Sequence, residues 1–242
     1  MPSQKLSVCD MGDWIQCPRE PERLLLAWQA ADEKHNRRRF AVGEVLRTRT
    51  DAVFRYFRAT EDVSMAESLG YSGYPAFRYS QSEHTQSVMA AFMRRLPPRG
   101  RPDFFIYLEK LRFCPTSPFS DFALLGASEA RLPSDGFSLV DPLDNFLAPT
   151  EVVFEIAGYR HCDPDLTNAD VGAKVSFQLE PTNVYDPGAI KIVKGTRKLG
   201  YVNKLQARQF RTILDGFCVS AWIARLNGTA DHPRAFIFVQ VR

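Results

Sequence analysis

A tyrosine and an aspartate stand side by side in a turn that leads into a basic stretch of the chain. The turn lies in LEPTNVYDPGAIKIVKGTRKLGYV, residues 179–202, where Tyr185 and Asp186 directly precede a Pro-Gly pair. A tyrosine ring offers a flat surface on which a nucleic-acid base can stack, and a carboxylate accepts hydrogen bonds from hydroxyl donors. The same residues also make an ordinary tight turn, whose bend Asn183 can support through its side chain. Both interpretations stay open at this point.

Positive charge is concentrated just after this turn. The protein has 242 residues, with 31 Lys and Arg against 28 Asp and Glu, and the whole excess lies in residues 151–242. Residues 187–214 contain no acidic side chain and seven basic ones, which are Lys191, Lys194, Arg197, Lys198, Lys204, Arg208 and Arg211. Because phosphate attraction is screened beyond roughly 8 to 10 Å, such a local strip matters more than the total charge. An anionic partner is therefore expected to meet this part of the chain.

Aromatic and basic side chains together favour single-stranded nucleic acid over duplex. Tyr185 and Tyr201 provide stacking surfaces, while Arg160 and Lys204 provide partners for phosphates. Stacking contributes roughly 1 to 3 kcal/mol per base and tolerates any sequence, and the cations add a salt-sensitive contribution.

Composition predicts a soluble protein of the cytoplasm. Hydrophobic residues make up 45% of the chain and charged residues 24%, which is typical of globular proteins. No basic segment followed by an apolar run opens the sequence, and no stretch approaches the roughly 18 apolar residues of a membrane span. The five cysteines form no CxxC pair and are expected to be reduced thiols.

The first part of the chain is predicted to be an α+β domain over residues 1–150. Alternating apolar residues predict strands, and helical spacing predicts helices. The strands are expected over residues 24–28, 39–46 and 53–59, and the helices over 82–96, 102–113 and 117–128. The third helix is expected to begin at Ser117, with Pro118 in its first turn. Residues 131–150 are predicted to be turns and a linker.

The second part, residues 151–242, is predicted to be a small β-barrel. Short strands alternate with turn signals, and one amphipathic helix is expected over residues 205–216, ended by a glycine. The predicted strands cover residues 152–160, 173–179, 189–195, 198–202, 219–226 and 234–242. Six strands and one helix suit an OB-like or SH3-like barrel, closed or half open, of the kind that often binds oligonucleotides.

The motifs of this second part resemble the HIRAN domain. EIAGYRHCDPDL, followed by GAKVSFQLEPTNVYDPGAIKIVKGTRKLGYVNKLQA, contains the pattern acidic-Pro-x-Asn-x-Tyr-Asp-x-x-Ala-Ile and then Gly-Tyr-Val. The HIRAN domain is best known as the amino-terminal module of helicase-like transcription factor and related Swi/Snf-type remodelling ATPases. The resemblance implies a modified oligonucleotide-binding barrel that recognises the 3′ end of single-stranded DNA.

Roles for individual residues follow from this resemblance. Tyr185 would stack on the terminal base and Asp186 would accept a hydrogen bond from the 3′-hydroxyl. Arg160 and Lys204 would hold phosphates, and Asn183 would shape or contact the pocket. A carboxylate repels an internal phosphate but accepts from a free hydroxyl, so this arrangement would read the end of a strand.

Other positions either extend the expected site or depart from the family. His161 stands where the helicase members have a second aromatic residue, and it is expected either to stack or to be structural. Tyr201 occupies a position where family members carry Tyr or His, and it is expected in the groove. Lys191 and Arg208 complete the predicted DNA-binding set. Val184 replaces the usual proline, which changes turn stiffness more than chemistry.

The first part is similar to the region preceding HIRAN domains in certain short bacterial proteins, and loosely to the first lobe of HipA-type toxin kinases. The segments that carry this similarity include AVGEV, FRYF and SPFSDFALLGA. No phosphate-binding Gly-rich loop, kinase catalytic loop or acidic metal motif accompanies them. A scaffold of unknown role is therefore predicted for residues 1–150.

No enzyme activity, cofactor or metal is expected. The histidines lie in unrelated contexts, and neither GxSxG nor HExxH occurs. On a strand, His161 and Cys162 would point to opposite faces and could not share a metal. Asp163, Asp165 and Asp170 would be the ligands of a metal-dependent nuclease site, but a solvated acidic loop is the favoured interpretation.

The expected function is capture of single-stranded DNA, preferably at a free 3′-hydroxyl. The end would then be delivered to a partner helicase or nuclease in DNA repair, replication or phage defence. The alternative is a non-catalytic protein-interaction or regulatory subunit of a toxin-antitoxin or restriction system, without DNA end binding. RNA binding through the same barrel is a third interpretation.

Overall fold

Two antiparallel sheets, each with its own hydrophobic core, organise the chain. The structure is a computed structural model that describes residues 14–31, 38–132, 135–162 and 166–242. The first sheet has the order β4-β3-β2-β1-β5, with β1 Arg23–Trp28, β2 Phe40–Arg47, β3 Ala52–Tyr56, β4 Glu83–His84 and β5 Phe137–Val140. Its helices are α1 Glu61–Ser68, α2 Val88–Met93, α3 Phe104–Lys110 and α4 Asp121–Ser128.

The second sheet contains the remaining six strands and curls around one long helix. Its order is β6-β11-β10-β7-β8-β9, with β6 Thr150–Glu155, β7 Lys174–Leu179, β8 Ile190–Lys194, β9 Arg197–Tyr201, β10 Val219–Gly228 and β11 Pro233–Val241. The helix is α5 Lys204–Gly216, which buries Phe210 and Ile213 in the core of this sheet. The predicted α+β class with a barrel-like second half is confirmed.

Backbone contacts bring the two edges of the second sheet together. Just after β6, the Ala157 N–H donates to the Tyr201 carbonyl at 2.8 Å, and the Tyr201 N–H donates back to the Ala157 carbonyl at 2.9 Å. Gly200 permits this approach, because a Cβ at that position would lie 2.5 Å from the Ala157 carbonyl oxygen. The curled sheet therefore closes partly into a barrel.

Several predicted elements of the first part are wrong in their bounds. The sequence predicted one helix over residues 82–96, but the chain forms β4 at Glu83–His84 and a helix only at Val88–Met93. The helix α4 begins after Ser120, whose hydroxyl accepts from the Ala123 N–H, and not at Ser117. The helix predicted over residues 102–113 is shorter, since α3 spans Phe104–Lys110.

Besides β4, two elements of this first part were not predicted. Residues 137–140 were predicted as linker, yet they form β5, all of whose side chains are buried and which pairs with β1. The helix α1, capped by the Thr60 side chain, was missed altogether.

The two halves share a packed boundary. Phe238 of β11 belongs to the core of the first sheet, and the Glu151 N–H donates to the Cys17 carbonyl at 2.8 Å. One sheet ends at Val140 and the other begins at Thr150, so the chain crosses between them in this interval. The domain boundary at residue 150 stays a prediction. None of the described helices is long and apolar enough to cross a bilayer.

Candidate nucleic-acid interface

Asn183 holds the turn that carries the tyrosine and the aspartate. Its side-chain Oδ1 accepts from the Tyr185 N–H at 2.9 Å and from the Asp186 N–H at 3.1 Å. Its Nδ2 donates to Glu180 Oε2 at 2.7 Å and to the Tyr201 hydroxyl at 3.2 Å. The predicted support of the bend by Asn183 is confirmed, and the turn is fixed to the barrel by the same side chain.

The fixed turn presents Tyr185 to solvent. Tyr185 is 91% exposed and Val184 is 87% exposed, whereas Asp186 is half-buried. The Asp186 Oδ1 accepts from the Gly188 N–H at 2.9 Å. Within the described part of the chain no hydrogen bond engages the other carboxylate oxygen, which can therefore accept from a ligand.

Glu180 anchors the base of the turn. The Tyr201 hydroxyl donates to Glu180 Oε2 at 2.8 Å, and Lys191 Nζ lies 3.4 Å from Oε1. Hydrogen bonds from Asn183, Tyr201 and Lys191, in that order, lower the pKa of Glu180. Glu180 was not predicted as a site residue, although it is the acidic residue of the acidic-Pro pattern.

Tyr201 and Lys191 thus take part in the support of the turn. Lys198 Nζ lies 5.0 Å from the centre of the Tyr201 ring and 3.2 Å from its hydroxyl, so a cation covers part of this aromatic surface. The roles of Tyr201 and Lys191 in binding DNA remain predictions.

Arg160 and His161 lie in a 3₁₀ turn, Tyr159–His161, and not at the end of a strand as predicted. Gly158, with φ +72°, starts this turn. The Arg160 Nε donates to His161 Nε2 at 3.1 Å, and its Nη1 lies 3.1 Å from His232 Nδ1. Among the described residues Arg160 has no carboxylate partner.

Lys204 and Arg208 lie on one exposed face of α5. Lys204 is the first residue of the helix, and Arg208 follows one turn later. Asn203 caps the helix, with its Oδ1 accepting from the Leu205 N–H at 3.1 Å. A helix N-terminus carries a partial positive charge, which adds to the charge of Lys204.

Only part of the predicted set lies together. Arg160, His161 and Lys204 line a common groove of about 810 Å³, whereas Asn183, Tyr185, Asp186, Lys191, Tyr201 and Arg208 are outside its lining. Ala157 also lines the groove, and its backbone pairs with Tyr201. The Tyr201 hydroxyl in turn contacts Asn183, the residue that holds the turn. The turn and the groove are therefore connected through one strand pairing.

Of the three aspartates considered as nuclease ligands, the structure describes only Asp170. Asp163 and Asp165 lie outside the described residues. Asp170 pairs with Lys194 and accepts from the Thr167 N–H at 2.7 Å, and these contacts lower its pKa. In the ranges that the structure describes, no cluster of three or more His, Cys, Asp and Glu could hold a metal ion.

A partly closed barrel with an exposed aromatic turn and basic side chains has the architecture of a small binding domain. Residues 150–233 match the family model described as the HIRAN domain, and this part of the chain is a HIRAN domain. HIRAN is a DNA-binding domain, which supports nucleic-acid binding by this half of the protein.

Two solved structures are similar to this region. The HIRAN domain of human HLTF is 19% identical, and the match covers 38% of this chain and 74% of that chain, with a TM-score of 0.32. A protein from Lactobacillus plantarum is 23% identical, and the match covers 37% of this chain and 98% of that chain, with a TM-score of 0.28. The comparison with curated proteins gives no match.

Proposed function

We propose that the HIRAN domain of this protein captures single-stranded DNA at a free 3′-hydroxyl end. The observation that carries the proposal is the fixed turn, which presents a 91% exposed Tyr185 beside an Asp186 carboxylate with one oxygen to spare. A turn with a purely structural role does not require an exposed aromatic ring at its tip. A base stacked on the Tyr185 ring would remove apolar surface of both the ring and the base from water, which favours binding.

The carboxylate gives the site a preference for strand ends. A 3′-hydroxyl donates a hydrogen bond to it, whereas an internal or terminal phosphate brings negative charge against negative charge. Asp186 would therefore favour the free end and oppose a strand that continues past it.

Fluorescence anisotropy of the full chain with two labelled oligonucleotides tests the proposal. The two strands have one sequence and end in either a 3′-hydroxyl or a 3′-phosphate. We expect tighter binding of the hydroxyl strand by about 10- to 100-fold, the effect of a charge-assisted hydrogen bond. Equal binding of both strands would contradict end capture.

Tyr185→Ala is expected to weaken binding of single-stranded DNA by about 5- to 100-fold, because base stacking is lost. The thermal midpoint should stay unchanged, since the side chain is 91% exposed and packs little against the protein. Tyr185→Phe, which keeps the ring, is the matched control and should bind like the native chain. A purely structural turn would leave binding unchanged in both variants.

Salt dependence separates DNA binding from the protein-interaction alternative. Each phosphate neutralised on a single strand contributes a slope of about −0.7 to the plot of log affinity against log salt. Lys204→Gln and Arg160→Gln should each make the slope shallower by about that amount. The control is Lys174→Gln, since Lys174 is an exposed residue of β7 outside the groove lining. This variant should leave the slope unchanged. A flat salt dependence in the native chain would favour an interaction subunit without DNA binding.

Capture alone does no chemistry, so the end would be passed to a partner. The proposed partners are a helicase or a nuclease that acts on DNA ends in repair, replication or defence against foreign DNA, in the cytoplasm. The chain itself acts as a non-enzymatic adaptor. Competition between ribo- and deoxyribo-oligonucleotides of one sequence tests whether the natural ligand is DNA, because RNA alone carries a 2′-hydroxyl.

A further inference from the structure

The groove that contains Arg160 and Lys204 has a second wall built by the first half of the chain. That wall consists of Gln29, which follows β1, the arginines Arg38 and Arg39 before β2, and Glu129 and Arg131 after α4. With a volume of about 810 Å³, the groove is more than three times as large as the cavity of about 240 Å³ beneath α4. It therefore has room for an extended ligand between the two halves.

Both carboxylates of the described lining are already neutralised by arginines. Glu129 lies 3.0 Å from Arg39 Nη1 and 2.6 Å from Arg131 Nη2. Glu155 lies 2.9 Å from Arg131 Nη1 and 2.7 Å from Arg234 Nη2. Three arginines thus share two carboxylates, and this part of the groove keeps a net positive charge.

Further cations add to this field. Arg160 and Lys204 line the same groove and have no carboxylate partner within the described ranges, while Arg38 pairs with Asp62, which lies outside the lining. The described lining holds six Lys and Arg against two Glu. In a groove with protein walls, such an excess attracts an anionic polymer more strongly than the same charges on a flat surface.

One backbone pairing joins the groove to the barrel segment that supports the Tyr185 turn. Ala157 in the groove lining pairs with Tyr201 by two backbone hydrogen bonds of 2.8 and 2.9 Å. The Tyr201 hydroxyl accepts from Asn183, the residue that holds the turn. Arg160 and Lys204, the residues predicted to hold phosphates, both line this groove.

We infer that the first half of the chain forms the second wall of a single-stranded DNA channel. This wall faces the phosphodiester backbone on the 5′ side of the captured end and extends the binding site beyond the HIRAN domain. The inference rests on the proposed function, because it assigns the path of the same strand. Recognition here is electrostatic and independent of sequence.

Gln29 offers a test that leaves the ion pairs in place. Gln29→Glu adds a negative charge to the wall with almost no change in shape, and Gln29→Lys adds a positive one. Gln86→Glu is the matched control, since Gln86 is exposed and does not line the groove. Each protein is measured with a trinucleotide and with a strand of about twelve nucleotides, a length within the site size of such domains.

The native chain should bind the longer strand at least about tenfold more tightly than the trinucleotide, because additional phosphates lie in the groove. Gln29→Glu should weaken binding of the long strand by about threefold, and Gln29→Lys should strengthen it similarly. That size is expected for one charge roughly 7 Å from a phosphate in a water-like dielectric. Trinucleotide binding should not change, and Gln86→Glu should behave like the native chain.

The outcomes separate the two proposals. If the trinucleotide keeps its 3′-hydroxyl preference while length and Gln29 charge have no effect, the channel is refuted and end capture stands. If the 3′-hydroxyl preference is absent but the long strand responds to Gln29, end capture fails and the groove is a general binding site for single strands. Absence of DNA binding would overturn both.

Discussion

Asp186→Asn is expected to abolish the discrimination between a 3′-hydroxyl and a 3′-phosphate. The amide retains an oxygen for the Gly188 N–H, which Asp186 Oδ1 binds at 2.9 Å, so the turn itself should persist. The negative charge that opposes a phosphate is lost, and the free carboxylate oxygen is replaced by an NH2 group, which cannot accept a hydrogen bond from a hydroxyl. We therefore expect the native preference of about 10- to 100-fold to fall to within about threefold.

Anisotropy titrations with the two strand ends check this result. Asp186→Ala should also lose the preference, with an additional small loss of stability because the Gly188 N–H loses its partner. The matched control is Asp215→Asn, which removes one charge from an exposed position on α5. A native-like preference in Asp186→Asn, or an equal loss in Asp215→Asn, would show that this carboxylate does not read the end.

Gly200→Ala is expected to lower the free energy of unfolding by about 3 kcal/mol or more. Gly200 has φ +147°, and an added Cβ would lie 2.5 Å from both the Ala157 carbonyl oxygen and Ile156 Cγ2. The pairing between Ala157 and Tyr201 would have to open, and with it the closure of the barrel. For a chain of this size the thermal midpoint should fall by roughly 6 to 12 °C.

Gly195→Ala is the matched control for this effect. Gly195 lies in the turn between β8 and β9 with φ +60°, and a Cβ there meets no atom within 4 Å. Only backbone strain of about 1 kcal/mol is expected. Denaturant titration of both variants measures the difference. Equal losses at the two positions would contradict the claim that close approach to Ala157 requires Gly200.

Local patterns predicted the second half of the fold well. The strands β10 and β11 and the helix α5 each carry a long apolar pattern, and each lies where the sequence placed it. The strand β5 was missed because its pairing partner β1 is more than a hundred residues earlier in the chain. Four buried residues among turn-forming neighbours give no periodicity from which a strand can be recognised.

The candidate site was also predictable from the sequence only in part. Asn183, Tyr185 and Asp186 are near neighbours in sequence, so their joint turn could be predicted from turn chemistry. The groove could not be predicted, because Arg39, Arg131 and Arg234 meet in its lining only through tertiary packing. Arg160 was predicted at the end of a strand, since the left-handed Gly158 that starts its 3₁₀ turn interrupts an otherwise alternating segment.

Competition between a linear and a covalently closed single-stranded circle of one sequence tests end capture most directly. Both molecules carry the same bases and nearly the same phosphate charge, but only the linear strand has a 3′-hydroxyl. If the domain captures ends, the linear strand will displace a labelled oligonucleotide at a concentration at least about tenfold lower than the circle requires. Equal displacement by the two molecules would contradict end capture by Tyr185 and Asp186.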